Sequence, residues 1–371
     1  MHKLKNIKIT LTNGLKYNLM PNQHIYDLII IGGGQSALAC GYYLRRTELN
    51  YIILDNQEEC GGAWQKAWDS LTLFSPAEHS SLPGWLMPKS NNEFPTKEEV
   101  INYVCQYEKR YKLPVERPIE VKNIEKESDY FKINTNQKSF YSKRLISATG
   151  TWKNPFIPNV TGKEKFKGTQ LHSAFYHSPK DFAGQKVLIV GEGNSGAQII
   201  AEVSKVADTQ WATHKNPEFL PDDVDGRVLF DQASAKYYAE KKGEKFDMSK
   251  YNLGNIVMVP SVKEARERDV LRSAGRFTSF TEKGVIWESG EKEEFDAVIW
   301  CTGFGYATDH LKNIVTTDEK GKIKTKGTRS TEEKNLWLVG YGGWTGFASA
   351  TLIGVGRSAR STIKEVQESL K

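Results

Sequence analysis

No two cysteines stand near each other along this chain of 371 residues. The four are Cys40, Cys60, Cys105 and Cys301, so a redox-active cysteine pair is not visible in the sequence. Cys40 on a predicted helix and Cys301 in an apolar strand read as small core residues. No Cys or His cluster has the spacing of a zinc site, and no metal is expected. No apolar stretch approaches the length that spans a membrane. The N-terminus has lysines without the apolar run of a signal peptide, which makes the cytoplasm the expected compartment. A block of one charge is also missing. The net charge is +6, but lysines alternate with acids, as in Glu240-Lys-Lys-Gly-Glu-Lys245. That is a solvated surface, and no nucleic-acid partner is expected.

What the chain does have is two glycine-rich turns, each closing an apolar run. The first is Tyr26-Asp-Leu-Ile-Ile-Ile31 followed by Gly32, Gly33, Gly34, Gln35, Ser36 and Ala37. The second is Lys186-Val-Leu-Ile-Val190 followed by Gly191, Glu192, Gly193, Asn194, Ser195 and Gly196. Such a turn lets backbone approach a pyrophosphate, and the next helix points its N-terminus at the charge. Two of them imply two dinucleotides on one polypeptide, a pairing that suggests a flavin fed by a nicotinamide. After the first turn, the strand Asn50-Tyr-Ile-Ile-Leu-Asp55 ends in an acid placed to accept from a ribose hydroxyl. After the second, the strand ends in Thr213, His214 and Lys215, with no acid between Gln210 and Pro217. A hydroxyl and a cation there would accept a ribose 2′-phosphate, so NADPH is expected, with NADH also admitted.

The fold class is α/β: two Rossmann-like dinucleotide-binding domains, the NAD(P)H domain inserted into the FAD domain. Residues 1–24 form an N-terminal extension read as a hairpin around Asn13-Gly14. Residues 25–158 and 296–371 make the FAD-binding domain, and 159–295 the NAD(P)H-binding domain. Thr149-Gly150 and Thr302-Gly303 mark the two crossings. Thr96 and Glu99 cap a helix running to about Tyr111. Strands are expected near 118–124, 130–135 and 143–148, a long polar excursion over 218–260, and a last helix over about 349–369.

With these motifs, Gly61-Gly62-Ala-Trp64 and the stretch Phe166-x-Gly168-x-x-x-His172-x-x-x-Tyr176, the chain resembles the class B flavin-dependent monooxygenases. It is most similar to the short bacterial ones of the ArsO, arsenic-operon-associated type. The resemblance covers about residues 26–365. It implies an oxidoreductase that uses FAD, NAD(P)H and O2, forms a C4a-hydroperoxyflavin, and oxygenates small sulfides, amines or ketones. No protein nucleophile is required, because the flavin carries the chemistry. Phe74, Trp344 and Asn194 are the candidate flavin-pocket residues, and none is a certain catalytic group. Phe74 stands where larger relatives place an asparagine, and Gly343 where related sequences have an aspartate. His172 reads as structural. The cofactor-binding set is Gly32, Gly34, Gln35, Ser36, Asp55, Gly62, Trp64, Thr149, Gly150, Gly191, Gly193, Asn194, Ser195, Gly196, Thr213, His214, Lys215, Thr302 and Gly303. The expected partners are a small-molecule substrate and O2; a homodimer is an open option that no residue pattern in the sequence decides. Two alternatives stay open: a flavin reductase or oxidase without substrate oxygenation, and a non-catalytic nucleotide-binding sensor.

Overall fold

The computed structural model describes residues 24–244 and 255–371. The expected hairpin around Asn13-Gly14 and part of the 218–260 excursion lie outside the described residues. The first stretch runs β1 (Ile25–Ile31), α1 (Gln35–Leu44), β2 (Tyr51–Leu54), α2 (Lys97–Tyr111), β3 (Val115–Glu116), β4 (Val121–Glu127), β5 (Tyr130–Thr135) and β6 (Ser139–Ser147). The middle runs β7 (Thr169–His172), β8 (Lys186–Val190), α3 (Asn194–Val203), β9 (Asp208–Ala212), α4 (Gly226–Lys242), α5 (Pro260–Glu267), β10 (Ser273–Gly275), β11 (Phe277–Phe280), β12 (Gly284–Trp287), β13 (Lys292–Glu294) and β14 (Ala297–Trp300). The last part is β15 (Thr325–Lys326), β16 (Arg329–Ser330), β17 (Leu336–Leu338) and α6 (Val355–Ser369).

Two parallel sheets result. In the first, five parallel strands lie in the order β17-β6-β1-β2-β3, with β4, β5, β15 and β16 attached antiparallel. The second is wholly parallel, β10-β9-β8-β14-β7. β11 to β13 form a small antiparallel sheet. One expectation is corrected here. The segment 296–301 had been given to the first unit, but β14 pairs with β8 and β7 of the second. Ala297–Trp300 are all buried, a pattern that suits any central parallel strand and does not name its partner.

Alternation along β1 builds a core on each face of the first sheet. Leu28 and Ile30 pack with Val100, Tyr103, Val104 and Tyr107 of α2 and Val355, Ala359, Ile363 and Val366 of α6. Ile29 and Ile31 pack with Ile124, Phe131 and Ile133 of β4 and β5. Each such fully buried aliphatic side chain contributes about 1.5–3 kcal/mol. α2 begins with the expected capping box: the Thr96 hydroxyl accepts from the Glu99 N–H at 3.3 Å, and the Glu99 carboxylate from the Thr96 N–H at 2.8 Å. The last helix starts later than expected, at Val355, because Ala348 takes a left-handed φ of +55° and 351–354 turn before it. No helix of the described residues is long and apolar enough to cross a membrane.

Candidate functional site

Both glycine turns are built the same way, and in each a neighbouring carbonyl explains the glycine. Gly32 has φ +100°, and a Cβ there would lie 2.7 Å from the Ala148 carbonyl oxygen, just past β6. Gly191 has φ +122°, and its Cβ would lie 2.3 Å from the Cys301 carbonyl oxygen, just past β14. Side chains are excluded at both. α1 follows Gly34 and α3 follows Gly193, neither with a side-chain cap or an acid in its first turn. Uncapped N–H groups and the positive dipole end favour negative charge at both helix starts.

A cavity of about 590 Å³ opens over the first turn. Its wall includes Gly32, Gly34, Gln35, Ser36, Asp55, Gly62, Trp64, Thr149 and Gly150, nine of the residues expected to bind a cofactor. Small-molecule sites span about 300–1,000 Å³, so the volume suits a dinucleotide. Lys66, Lys122 and Lys153 also line it, the last two paired with Glu120 of the same wall. Sequence reasoning missed these lysines, which lie outside any motif. A Cβ on Gly62 would lie 2.8 Å from Gly34 Cα, so two backbones meet at the cavity wall. Gln35 ties three segments there: its Nε2 donates to the Ala350 carbonyl at 2.6 Å, and its Oε1 accepts from Trp64 Nε1 at 3.0 Å.

Asp55 is 2% exposed and does not stand alone. Arg117 Nε donates to its Oδ2 at 2.8 Å, and the same guanidinium grips both oxygens of Glu108 at 2.7 Å. Burial opposes the charge on Arg117, but hydrogen bonds to Glu108 and Asp55 outweigh it and raise its pKa. Gly33 lies against this carboxylate: a Cβ there would be 2.3 Å from Asp55 Oδ2.

Behind Thr149 runs a buried polar chain. Thr149 donates to the Ala307 carbonyl at 2.7 Å, so it must accept from the Tyr341 hydroxyl, also at 2.7 Å. Tyr341 then accepts from Ser147 at 2.6 Å, and Ser147 from His310 Nε2 at 3.2 Å. Only this direction gives every hydroxyl one donated and one accepted bond, so His310 carries a proton on Nε2. Burial, with Lys153 adding, pushes the His310 pKa down to about 4. His310 and Asp309 also line the cavity, and no motif had marked either.

A flavin-containing monooxygenase of Stenotrophomonas maltophilia superposes with a TM-score of 0.86 at 46% identity, covering 93% of this chain and 99% of that one. The chain belongs to the flavin-containing monooxygenases. Residues 29–228 match the broader pyridine nucleotide-disulphide oxidoreductase family. An uncharacterized oxidoreductase, CzcO, of Bacillus subtilis is 31% identical over 92% of this chain and 99% of its own length. The bacillithiol disulfide reductase of Staphylococcus aureus shares the fold, with a TM-score of 0.67 at 19% identity over 93% of this chain and 99% of that one.

In this monooxygenase the Phe166-to-Tyr176 signature is structural. His172 is buried; its Nδ1 accepts from the Ala174 N–H at 3.0 Å, so Nε2 carries the proton and donates to the Gly303 carbonyl at 2.9 Å. That clamps β7 to the Thr302-Gly303 crossing, and Thr302 bonds the Phe156 carbonyl. The buried Tyr176 donates to Glu202 at 2.6 Å. Neither Thr302 nor Gly303 lines the first cavity. The three candidate flavin-pocket residues also lie outside its wall. Phe74 packs on Phe230 with ring centroids 5.8 Å apart, because the Phe74 carbonyl receives the N–H of Gly226 at the start of α4. Trp344 packs on Tyr306 and Tyr341 and donates to Thr325 at 3.0 Å. Asn194 holds the segment that begins at Asn255: Nδ2 donates to the Asn255 carbonyl at 3.2 Å, and Oδ1 accepts from the Val257 N–H at 2.9 Å.

The cysteine reading is corrected in part. Cys40 and Cys301 are free and buried, and burial raises both thiols, Cys301 to about 12. Cys60 and Cys105, 45 positions apart, are joined by a disulfide with Cα atoms 5.3 Å apart. A loop and a helix bring together what sequence distance separates. The bond ties the segment entering Gly61-Gly62 to α2, and neither cysteine lines the cavity.

Proposed function

We propose that the chain is an FAD-dependent NAD(P)H:O2 monooxygenase of small soft nucleophiles, sulfides and amines foremost, with ketones a further class. In this reading FAD lies on the first sheet and NAD(P)H on the second, the two sheets being the two nucleotide-binding domains. The observation that carries it is the convergence of nine residues, from Gly32 to Gly150, on one cavity. A second turn of the same construction stands beside β14. Gly191, Gly193, Ser195 and Gly196 would hold the nicotinamide cofactor's pyrophosphate. Gly196 is needed for packing as well, since a Cβ there would lie 2.2 Å from the Gly191 carbonyl oxygen.

Bound flavin supplies the activation of O2 once the nicotinamide has reduced it. Overall, the reduced nicotinamide, a proton, O2 and the substrate yield oxidised nicotinamide, water and the oxygenated product. The chain's part is to orient and enclose. Asp55 is set to take a ribose hydroxyl, the α1 N-terminus to face the phosphates, and Gln35 and Trp64 to shape the wall. Aerobic turnover with an aryl methyl thioether tests the reading, counting sulfoxide and hydrogen peroxide per cofactor oxidised. Sulfoxide as a main product supports it. Peroxide alone, across sulfide, amine and ketone panels, refutes it.

The Cys60–Cys105 bond favours a second reading, in which the flavin reduces this disulfide. Both cysteines lie outside the cavity wall, which weighs against it. Anaerobic reductive titration separates the two: about two electrons per flavin leave the disulfide out of the circuit, and about four bring it in.

A further inference from the structure

The second glycine turn holds a carboxylate for which the reading so far has no use. We propose that Glu192 reads the adenine ribose of the nicotinamide cofactor and makes this chain prefer NADH to NADPH. The proposal rests on the second turn being the nicotinamide site. β9 brings no acid to its own end, and taken alone that favours a 2′-phosphate. The fold brings one from the other side. The Gly191 N–H donates to the Ala212 carbonyl at 2.9 Å, which holds the turn against the end of β9. From there Glu192 Oε2 accepts the His214 backbone N–H at 3.1 Å. Its other oxygen has no hydrogen bond among the described residues.

The groups that would welcome a phosphate are reduced at the same place. Thr213 is buried, and its hydroxyl bonds that of Ser273 at 2.6 Å. Lys215 is exposed and is the single lysine or arginine between positions 206 and 226. A carboxylate fixed at this strand end accepts from a ribose 2′-hydroxyl. A 2′-phosphate, carrying about −1.5 to −2 charge, is repelled by it.

Calorimetric titration of the flavin-saturated protein with NAD⁺ and with NADP⁺ tests this without turnover. Wild type is expected to bind NAD⁺ at least about tenfold more tightly. Glu192→Gln keeps an acceptor for His214 and removes the charge. It should shrink that ratio about tenfold, mainly by tightening NADP⁺. Glu192→Ala repeats the measurement without the turn's hydrogen bond and should shift the ratio the same way. Tighter NADP⁺ binding by wild type overturns the assignment. So does a ratio that both variants leave within about twofold while both dinucleotides still bind; the site reading then stands. If neither dinucleotide binds wild type, the assignment and the site reading fall together.

Discussion

Removing the guanidinium of Arg117 should cost far more than the net worth of the pairs it makes. Asp55, Arg117 and Glu108 side chains are 2%, 12% and 16% exposed. With charge centres roughly 4 Å apart, each pair is worth about 4 kcal/mol at an effective dielectric of 20. Desolvation of the three charges cancels most of that in the intact triad. Arg117→Ala leaves two carboxylates, one enclosed, with no cation between them, and the expected loss is about 3–5 kcal/mol. Urea unfolding followed by tryptophan fluorescence reads it, in a cycle with Asp55→Asn. The double variant should recover at least about 2 kcal/mol of the single loss, because the enclosed charge is gone. A loss below about 1 kcal/mol, or an equal loss in the Asp55→Asn background, would refute the argument. Flavin affinity should follow. If the loosened Asp55 gives up about 1.4 kcal/mol of ribose contact, the flavin Kd rises about tenfold.

Gly33→Ala would put a Cβ 2.3 Å from Asp55 Oδ2, and should weaken flavin binding at least about tenfold in a fluorescence titration. Unchanged retention would show that Asp55 moves aside at no cost. His310 is pushed down to about 4 by burial, while its unfolded value is about 6.5. The unfolded chain therefore takes up the proton first as pH falls. This stability is full above about 6.5 and drains away toward about 4, by about 3 kcal/mol in all. His310→Asn should flatten that part of the pH–stability curve, and parallel curves for the two proteins would sink the idea. Cys105→Ser opens a loop of 45 positions and should lower stability by about 2–4 kcal/mol. An unaltered urea midpoint under non-reducing conditions would mean the bond constrains nothing.

The first cavity was legible because its recognition is written in backbone. Glycines at fixed offsets, a following helix and a terminal acid are local signals that named five wall residues, and the Gly61-Gly62-Ala-Trp64 loop and the Thr149-Gly150 crossing named four more. What stayed hidden depends on distant partners. Arg117 meets Asp55 across 62 positions, and Cys60 meets Cys105 across 45. Thr149 was read as a site residue, but its link to His310 passes through Ser147 and Tyr341, which no pattern connects. β14 was assigned to the wrong sheet because buried apolar residues look alike on any central strand. Glu192 was in plain view inside its motif. Only the pairing of turn and strand end shows that its carboxylate meets the His214 N–H.

The order of strands in the first sheet has a consequence for how the protein is made. β17 pairs with β6 through Leu336 and Leu145, 191 positions apart, whereas the second sheet needs nothing beyond Trp300. Chains leave the ribosome N-terminus first, and units close as their parts emerge. The C-terminal end of β6, whose N-terminal half already pairs with β5, therefore waits for its partner on that edge while the second sheet is made. Gly340 and Ala350, the last pieces of the cavity wall, are made only after the whole of the second sheet. On the proposed reading, flavin capture waits for residues made after the second sheet, and a chain stopped short of residue 340 would carry that sheet complete beside a first one lacking part of its cavity wall.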